Sequence, residues 1–282
     1  MMEIFETKKQ LQTHLADLRQ AGKKIALVPT MGALHEGHLS LISEAQKVAD
    51  IVVCSIFVNP TQFNDPKDLE KYPRPIENDI KLLTSAKCDI LFMPTVAEMY
   101  PADETPWHIN LGALDSIWEG EKRPGHFQGV TQVVYKLFML TLPDVACFGQ
   151  KDFQQIMVIQ KMIDIKQLPV TIHICPIVRS PEGLALSSRN MRLSEADKIK
   201  ALALYRSLNT IKKGFPQTAI AQLEENAEQV LADEGEITLE YLAICESTTL
   251  SPATTIEPGK SYVALLVAWV AGVRLIDNMI LS

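Results

Sequence analysis

The sequence predicts an α/β protein in which a doubly wound parallel sheet is followed by a smaller α+β domain. Three observations predict it. Apolar, β-branched runs recur without strict alternation, which suits strands buried on both faces. Helical stripes fill the intervals, so strand and helix alternate and the sheet is parallel. Past Arg179 the texture changes to a Pro/Gly/Ser-rich stretch, a long helix and partly alternating runs.

The runs KIALVPT (24–30), DIVVCSIFV (50–58), CDILFMP (88–94), DVACFG (144–149) and TIHICPIVR (171–179) read as the strands. Between the first two, Leu39, Ile42, Ala45, Val48 and Ala49 form one helical stripe. Pro75 suits the first residue of another helix, whose stripe is Ile80, Leu83 and Ala86. Further helices run through 129–140 and 152–168. After SPEGLALSSRN, Ser194 with Asp197 three residues on makes a capping-box-like start to a long helix. An acidic helix follows over 219–233, and then ITLEYLAICES and SYVALLVAWVAGVRLI, separated by the turn-rich SPATTIEPGK, read as antiparallel strands. The expected domains are residues 1–177 and 178–282, and there is no internal repeat.

With 27 Lys and Arg against 34 Asp and Glu, the formal charge is −7, which argues against nucleic acid as a partner and for a small-molecule substrate. Five cysteines without C-x-x-C spacing, four of them in apolar runs, read as buried reduced thiols. The N-terminal stretch MMEIFETKKQLQTHL lacks a signal-peptide apolar region, and the longest apolar run, Tyr262 to Val273, is too short to span a bilayer. Cytoplasmic residence without membrane association is the expectation.

The chemistry concentrates in Thr30–His38, TMGALHEGH, which joins the first long strand to its helix. In a doubly wound sheet ligands sit at the carboxyl ends of strands. A helix N-terminus offers free N–H groups and the positive end of the dipole, so it attracts an anion. His35 and His38 at i, i+3 add donors on one side of the first turn, and the combination describes a phosphate site. A metal site fits less well, because H-x-x-H lacks the spacing of H-E-x-x-H and no third ligand is near. A core-histidine reading suits His173 within its strand better than this pair. Neither G-x-G-x-x-G nor G-x-x-x-x-G-K-[ST] occurs, which removes the usual signals of nicotinamide enzymes and P-loop ATPases.

The pattern resembles the H-x-G-H signature of the nucleotidyltransferase superfamily, whose sheet is Rossmann-like. Six ordered blocks, PTMGALHEGHLSLI, FVNPTQFN, YPRP, RPGHFQGVTQVV, FGQKDFQQ and LALSSRN, resemble the pantothenate synthetase (pantoate–β-alanine ligase) family over essentially the whole chain. The resemblance implies ATP-dependent joining of pantoate and β-alanine through pantoyl adenylate, giving pantothenate, AMP and pyrophosphate. It also implies Mg²⁺ on the ATP phosphates, a homodimer, and a smaller C-terminal domain acting as a lid. The apolar 50–58 segment is a candidate for the subunit interface.

By this resemblance ATP is bound by Met31, Gly32, His35, Gly37 and His38, by Gly149, Gln150, Lys151 and Asp152, and by Val178, Leu186, Ser187, Ser188 and Arg189. His38, His35, Lys151 and Arg189 are the catalytic candidates. A pantoate carboxylate of pKa ~4 is already ionised, so adenylation needs alignment and charge neutralisation, which these types supply. Gln62 and Gln155 suit pantoate, because amides both donate and accept without burying a charge, and Gln62 is also the candidate contact to β-alanine. Gln150 stands where the family pattern has Glu, at a position contributing mainly backbone.

Each assignment has a plain structural alternative. Lys151–Asp152 also reads as a surface pair starting a helix, and SSRN as a capped turn. Asn59 reads more simply as a turn residue, Tyr72 as packing, and Arg123 and His126 as parts of an exposed Pro-Gly turn. Glu77 and Asp79 are outer metal contacts or solvated helix surface, and no metal ligand is assigned. His38, water or a substrate phosphate takes the proton in the amide-forming step. A nucleotidylyltransferase of the same superfamily and a silent nucleotide-binding protein are the rival functions.

Overall fold

In the computed structural model, residues 2–64, 66–103 and 105–281 are described. The chain divides into two compact units, Met1–Gly149 with Gln154–Cys175, and Gln150–Phe153 with Pro176–Ser282.

The first unit holds a parallel sheet of β1 (Glu3–Phe5), β2 (Ile25–Thr30), β3 (Ile51–Ile56), β4 (Ile90–Phe92), β5 (Val145–Gly149) and β6 (Thr171–Cys175), in the order β1-β4-β3-β2-β5-β6. Its helices are α1 (Lys8–Gln20), α2 (Glu36–Val48), α3 (Pro66–Lys71), α4 (Ile76–Ser85), α5 (Val96–Met99), α6 (Glu119–Lys122), α7 (His126–Thr141) and α8 (Phe153–Lys166). Alternate residues of each central strand go to opposite cores. Ile25, Leu27, Val53, Ile90, Phe92, Ala146 and Phe148 pack with Leu11, Leu15, Val134 and Ile159 of α1, α7 and α8. Ala26, Val28, Val52, Cys54, Leu91, Val145 and Cys147 pack with Leu41, Ile42, Ala45 and Leu83 of α2 and α4. Burial on both faces is why these strands read as continuous apolar runs.

Three departures from the sequence expectations have physical causes. Of residues 50–58, offered as a subunit interface, 52–57 are buried in β3 and at Phe57, spent on this chain's own core. Pro75 caps α4 and does not occupy its first turn. His173 lies on the edge strand β6, with its side chain 33% exposed and Nε2 3.5 Å from the Glu44 carboxylate, so it is not a core histidine.

The second unit packs α9 (Glu195–Gly214) and α10 (Ile220–Glu234) on an antiparallel sheet of β7 (Ile237–Glu246), β8 (Tyr262–Val270) and β9 (Val273–Leu281), ordered β7-β8-β9. The expected box at α9 is present, with Ser194 Oγ accepting from Asp197 N and the Asp197 carboxylate accepting from Ser194 N. The run read as one apolar stretch is a hairpin, because Ala271 (φ 48°) and Gly272 (φ 73°) turn the chain in two residues. Two successive left-handed residues match the strand twist of a tight hairpin, and glycine makes the second cheap.

Among the described residues, no helix is long and apolar enough to cross a membrane. All five cysteines are reduced and buried. Burial pushes the Cys88 and Cys245 thiols up to about 12, and it raises Cys54 as well. Since all five thiols are buried away from reagent, and the reactive thiolate is further disfavoured at these three, a colorimetric thiol reagent at pH 8 is expected to leave the folded protein nearly unlabelled. Denaturant should then expose all five thiols; rapid labelling of the folded protein would contradict this burial.

Candidate functional site

Strand β2 lies where the sheet's winding reverses, flanked by β3 on one side and β5 on the other. The β2–β5 ladder covers only Ala26–Leu27 against Val145–Ala146, and both strands run on past it, to Thr30 and Gly149. This is the crevice position at which doubly wound sheets bind ligands. Leu41 of α2 lies beside Gly149, where an added Cβ would meet only an ordinary contact at 3.8 Å.

The loop after β2 is held by side chains from far along the chain. Thr30 Oγ1 donates to the Ser55 carbonyl at 2.8 Å and accepts from Gly32 N at 3.2 Å. Gly32 (φ 81°) and Ala33 (φ 51°) then bend the backbone through the left-handed region. A Cβ on Gly32 would sit 3.0 Å from the Asp79 carboxylate and 3.1 Å from Ile56, so both conformation and space call for glycine there. The bend turns two N–H groups inward, and Asp79 accepts both, from Ala33 at 2.9 Å and Leu34 at 2.8 Å. Asp79 is fully buried with both oxygens engaged, so it is neither a metal contact nor solvated helix surface. Glu77, one of its neighbours on α4, is exposed.

His35 is the N-cap of α2 and His38 its third residue. His35 Nδ1 accepts from Gly37 N at 3.1 Å, and His38 Nδ1 accepts from His35 N at 3.4 Å. The ring centroids are 4.1 Å apart. An Nδ1 that accepts leaves the proton of a neutral imidazole on Nε2. Both rings thus stand at the positive end of α2 with the proton of the neutral form on Nε2, at the place where sequence spacing expected donors for an anion.

Met31 and Gln62 come together across the loops after β2 and β3, with Gln62 Nε2 3.1 Å from the Met31 sulfur. Gln62 is set by its neighbours. Its Oε1 accepts from Asn59 Nδ2 at 3.1 Å, and its carbonyl meets His126 Nδ1 at 2.9 Å. Helix α7 comes so close that a Cβ on Gly129 would lie 2.3 Å from the Thr61 carbonyl oxygen. Asn59, which reads from sequence as a turn, is 1% exposed and bonds Gly129 O at 3.1 Å and Tyr100 OH at 2.7 Å. Tyr72 meets Phe63 edge-on at 5.8 Å, as its packing alternative anticipates. Gln155 is half-buried on α8. Its neighbour Gln154 is buried, donating to Leu114 O and Ile117 O and accepting from Glu119 N.

The second unit carries the other candidates. Gln150–Asp152 form a single 3₁₀ turn. Val178 and Leu186 face each other in a short antiparallel ladder, Leu186 N donating to Val178 O at 2.9 Å. Ser187 Oγ accepts from Arg189 N at 3.2 Å and caps the 3₁₀ segment Ser188–Arg192, so the capped turn is present. Lys151, Ser187, Arg189, Tyr205 and Asp277 line one recess of this unit. Beneath it Arg179 binds the Asp277 carboxylate with both terminal nitrogens, at 2.6 and 2.9 Å, and stacks 4.4 Å from the Tyr205 ring. Burial raises the Asp277 carboxyl, against the pull of Arg179.

Local sequence gives no sign of Asp79, Asn59 or Asn278 as structural parts of these sites. Asp79 looks like a first-turn helix acid, and its partners lie 45 and 46 residues upstream. Among the described residues no group of three or more His, Cys, Asp or Glu could hold a metal ion.

Residues 3–280 match the family model described as Pantoate-beta-alanine ligase. The pantothenate synthetase of Cytophaga hutchinsonii is 45% identical over 275 residues, covering 97% of each chain. The crystal structure of pantothenate synthetase from Thermus thermophilus superposes with a TM-score of 0.92 at 39% identity over 99% of both chains. That of the pantoate-beta-alanine ligase from Francisella tularensis, complexed with beta-gamma ATP and beta-alanine, gives 0.81 at 34% identity, covering 99% of this chain and 98% of that one. On sequence and fold alike, over nearly its whole length, the chain belongs to the pantoate-beta-alanine ligase family.

Proposed function

We propose that this enzyme condenses pantoate with β-alanine, using ATP and passing through pantoyl adenylate, and that His35 and His38 contact the reacting phosphates. Family membership over 3–280 carries the overall reaction, and the Francisella complex supports ATP and β-alanine as ligands. The observation that carries the site assignment is the pair of imidazoles, 4.1 Å apart between centroids, held through Nδ1 at the opening turn of α2.

In the first step a pantoate carboxylate oxygen attacks the α-phosphorus, and the bond to the β-phosphate breaks to release pyrophosphate. Negative charge grows on phosphate oxygens, and preorganised donors aimed there lower the barrier. His35, His38, Lys151 and Arg189 are assigned this role. Met31, Gly32, Gly37, Gly149, Gln150, Asp152, Val178, Leu186, Ser187 and Ser188 complete the ATP contacts. Among the described residues a Cβ at 149 would meet only Leu41, at an ordinary 3.8 Å, which supports close approach of a ligand to that backbone. In the second step the neutral β-alanine nitrogen attacks the acyl carbon, the bond from that carbon to the bridging oxygen breaks so that AMP leaves with the oxygen, and the nitrogen gives up a proton to His38, water or a substrate phosphate.

Gln62 is assigned to both pantoate and β-alanine, and Gln155 to pantoate. The bonds from Asn59 and to His126 that hold Gln62 in one orientation support its part. Mg²⁺ screens the triphosphate charge when bound. Such an ion is held by the phosphates and water, as is usual for Mg²⁺ on a nucleotide. By family resemblance the enzyme is a cytoplasmic homodimer, and five buried reduced thiols support an intracellular setting.

The test is to supply labelled pyrophosphate with ATP, adding pantoate and β-alanine in turn. Exchange into ATP is expected only with pantoate, and stoichiometric AMP release only once the amine is added. ATP consumption that ignores pantoate would end the proposal.

A further inference from the structure

Strand β9 places Asp277 and Asn278 side by side in a largely apolar hairpin, 5% and 2% exposed. Burying a carboxylate and an amide is unfavourable unless both find partners. Asn278 turns both N–H groups onto main-chain carbonyls, of Gln150 at 3.0 Å and Lys151 at 2.9 Å. Its oxygen accepts from the Gln150 side chain at 3.0 Å. Carbonyls only accept, so the amide has one satisfactory orientation. Asp277 reaches the other way. It holds Arg179, which also donates to Gly183 O at 3.1 Å in the ladder leading to Ser187–Arg189.

We propose that Asn278 is a positioning residue for Lys151, its side-chain amide fixing the backbone turn from which the lysine projects. A single 3₁₀ turn is weakly held by its own bonds, and a lysine stem is long and flexible. The direction of the ammonium group therefore depends on how firmly the backbone beneath it is held. Asn278 supplies that hold on the carbonyl of Lys151 itself and on both ends of Gln150. Through Asp277 and Arg179 the same strand segment also ties down the ladder that leads to Arg189, so the separation of two proposed phosphate contacts is set from one place. This inference rests on the reading of Lys151 as a phosphate contact.

The experiment is a double-mutant cycle on the full chain with Lys151→Ala and Asn278→Ala, reading pyrophosphate exchange, kcat and the KM for ATP. Lys151→Ala alone tests the underlying reading, and near-normal exchange would reject that reading and the positioning role with it. Given an impaired Lys151→Ala enzyme, Asn278→Ala is expected to lower kcat/KM for ATP about tenfold or more in the wild-type background, since small misplacements of a positioned group are costly. In the Lys151→Ala background it should cost about twofold or less, because residues acting as a unit are non-additive. The turnover of preformed pantoyl adenylate with β-alanine, which needs no triphosphate, should change little, whereas a general structural defect would lower it equally. Full additivity, or an Asn278→Ala enzyme with wild-type kinetics, overturns the proposal and leaves the role of Lys151 standing. If Asn278→Ala does not fold, Gln150→Met decides, since it removes only the side-chain arm of the latch. About a threefold loss in kcat/KM for ATP that vanishes in the Lys151→Ala background supports the role, and unchanged kinetics reject it.

Discussion

Replacing His38 by alanine is expected to lower pantoate-dependent pyrophosphate exchange by on the order of a hundredfold or more, in a protein that stays folded. A single preorganised donor at a site of growing charge is worth ~3 kcal/mol, and truncation removes one such donor. The structural cost is small by comparison. The cap bond lost is that from His35 N, at 3.4 Å longer than the 3.1 Å bond from Gly37 N, and a helix cap of this kind contributes about 1 kcal/mol. Exchange kinetics and thermal unfolding together separate the two effects. A folded His38→Ala enzyme with near-normal exchange would remove this ring from the reacting phosphate.

Asp79→Ala is the second large effect, and it acts first on stability. The carboxylate is fully buried and accepts from Ala33 and Leu34. Removing it strands two inward-facing N–H groups, and each buried unsatisfied donor costs ~1–3 kcal/mol, so the loss is about 2–6 kcal/mol in urea unfolding. Asp79→Asn keeps one accepting oxygen but points an amide NH₂, itself a donor, at the second N–H, and it should fall between alanine and wild type. Exchange activity per folded molecule should also drop in both variants, because the left-handed bend at Gly32–Ala33 that leads into His35 loses its anchor. A loss below about 1 kcal/mol with unaltered kinetics would show that the loop keeps its shape without the carboxylate.

What was legible in the sequence was what local pattern records. The long parallel strands could be read because alternate residues of each feed two different cores, leaving continuous apolar runs. His35 and His38 could be read because their spacing is a property of one helical turn. Strand β1, with three residues, and α1, which buries only Leu11 and Leu15, leave too weak a periodic signal. The β8–β9 hairpin was hidden because its turn is Ala-Gly, without the Asn or Asp that usually announces two left-handed residues. The supports of the site were illegible for a different reason. Asp79, Asn59 and Asn278 act on backbone groups 45 to 128 residues away in sequence, and no local pattern encodes such a partner.

The bond between Asn278 and the Lys151 carbonyl spans 127 residues of chain. During synthesis the parallel sheet has all its strands by Cys175, yet this grip is still missing about a hundred codons later. A ribosome-bound chain stalled before β9 would lack the bonds from Asn278 to the turn that carries Lys151. If Asn278 positions Lys151 as proposed, a message truncated ahead of this strand is expected to yield a product without pyrophosphate exchange.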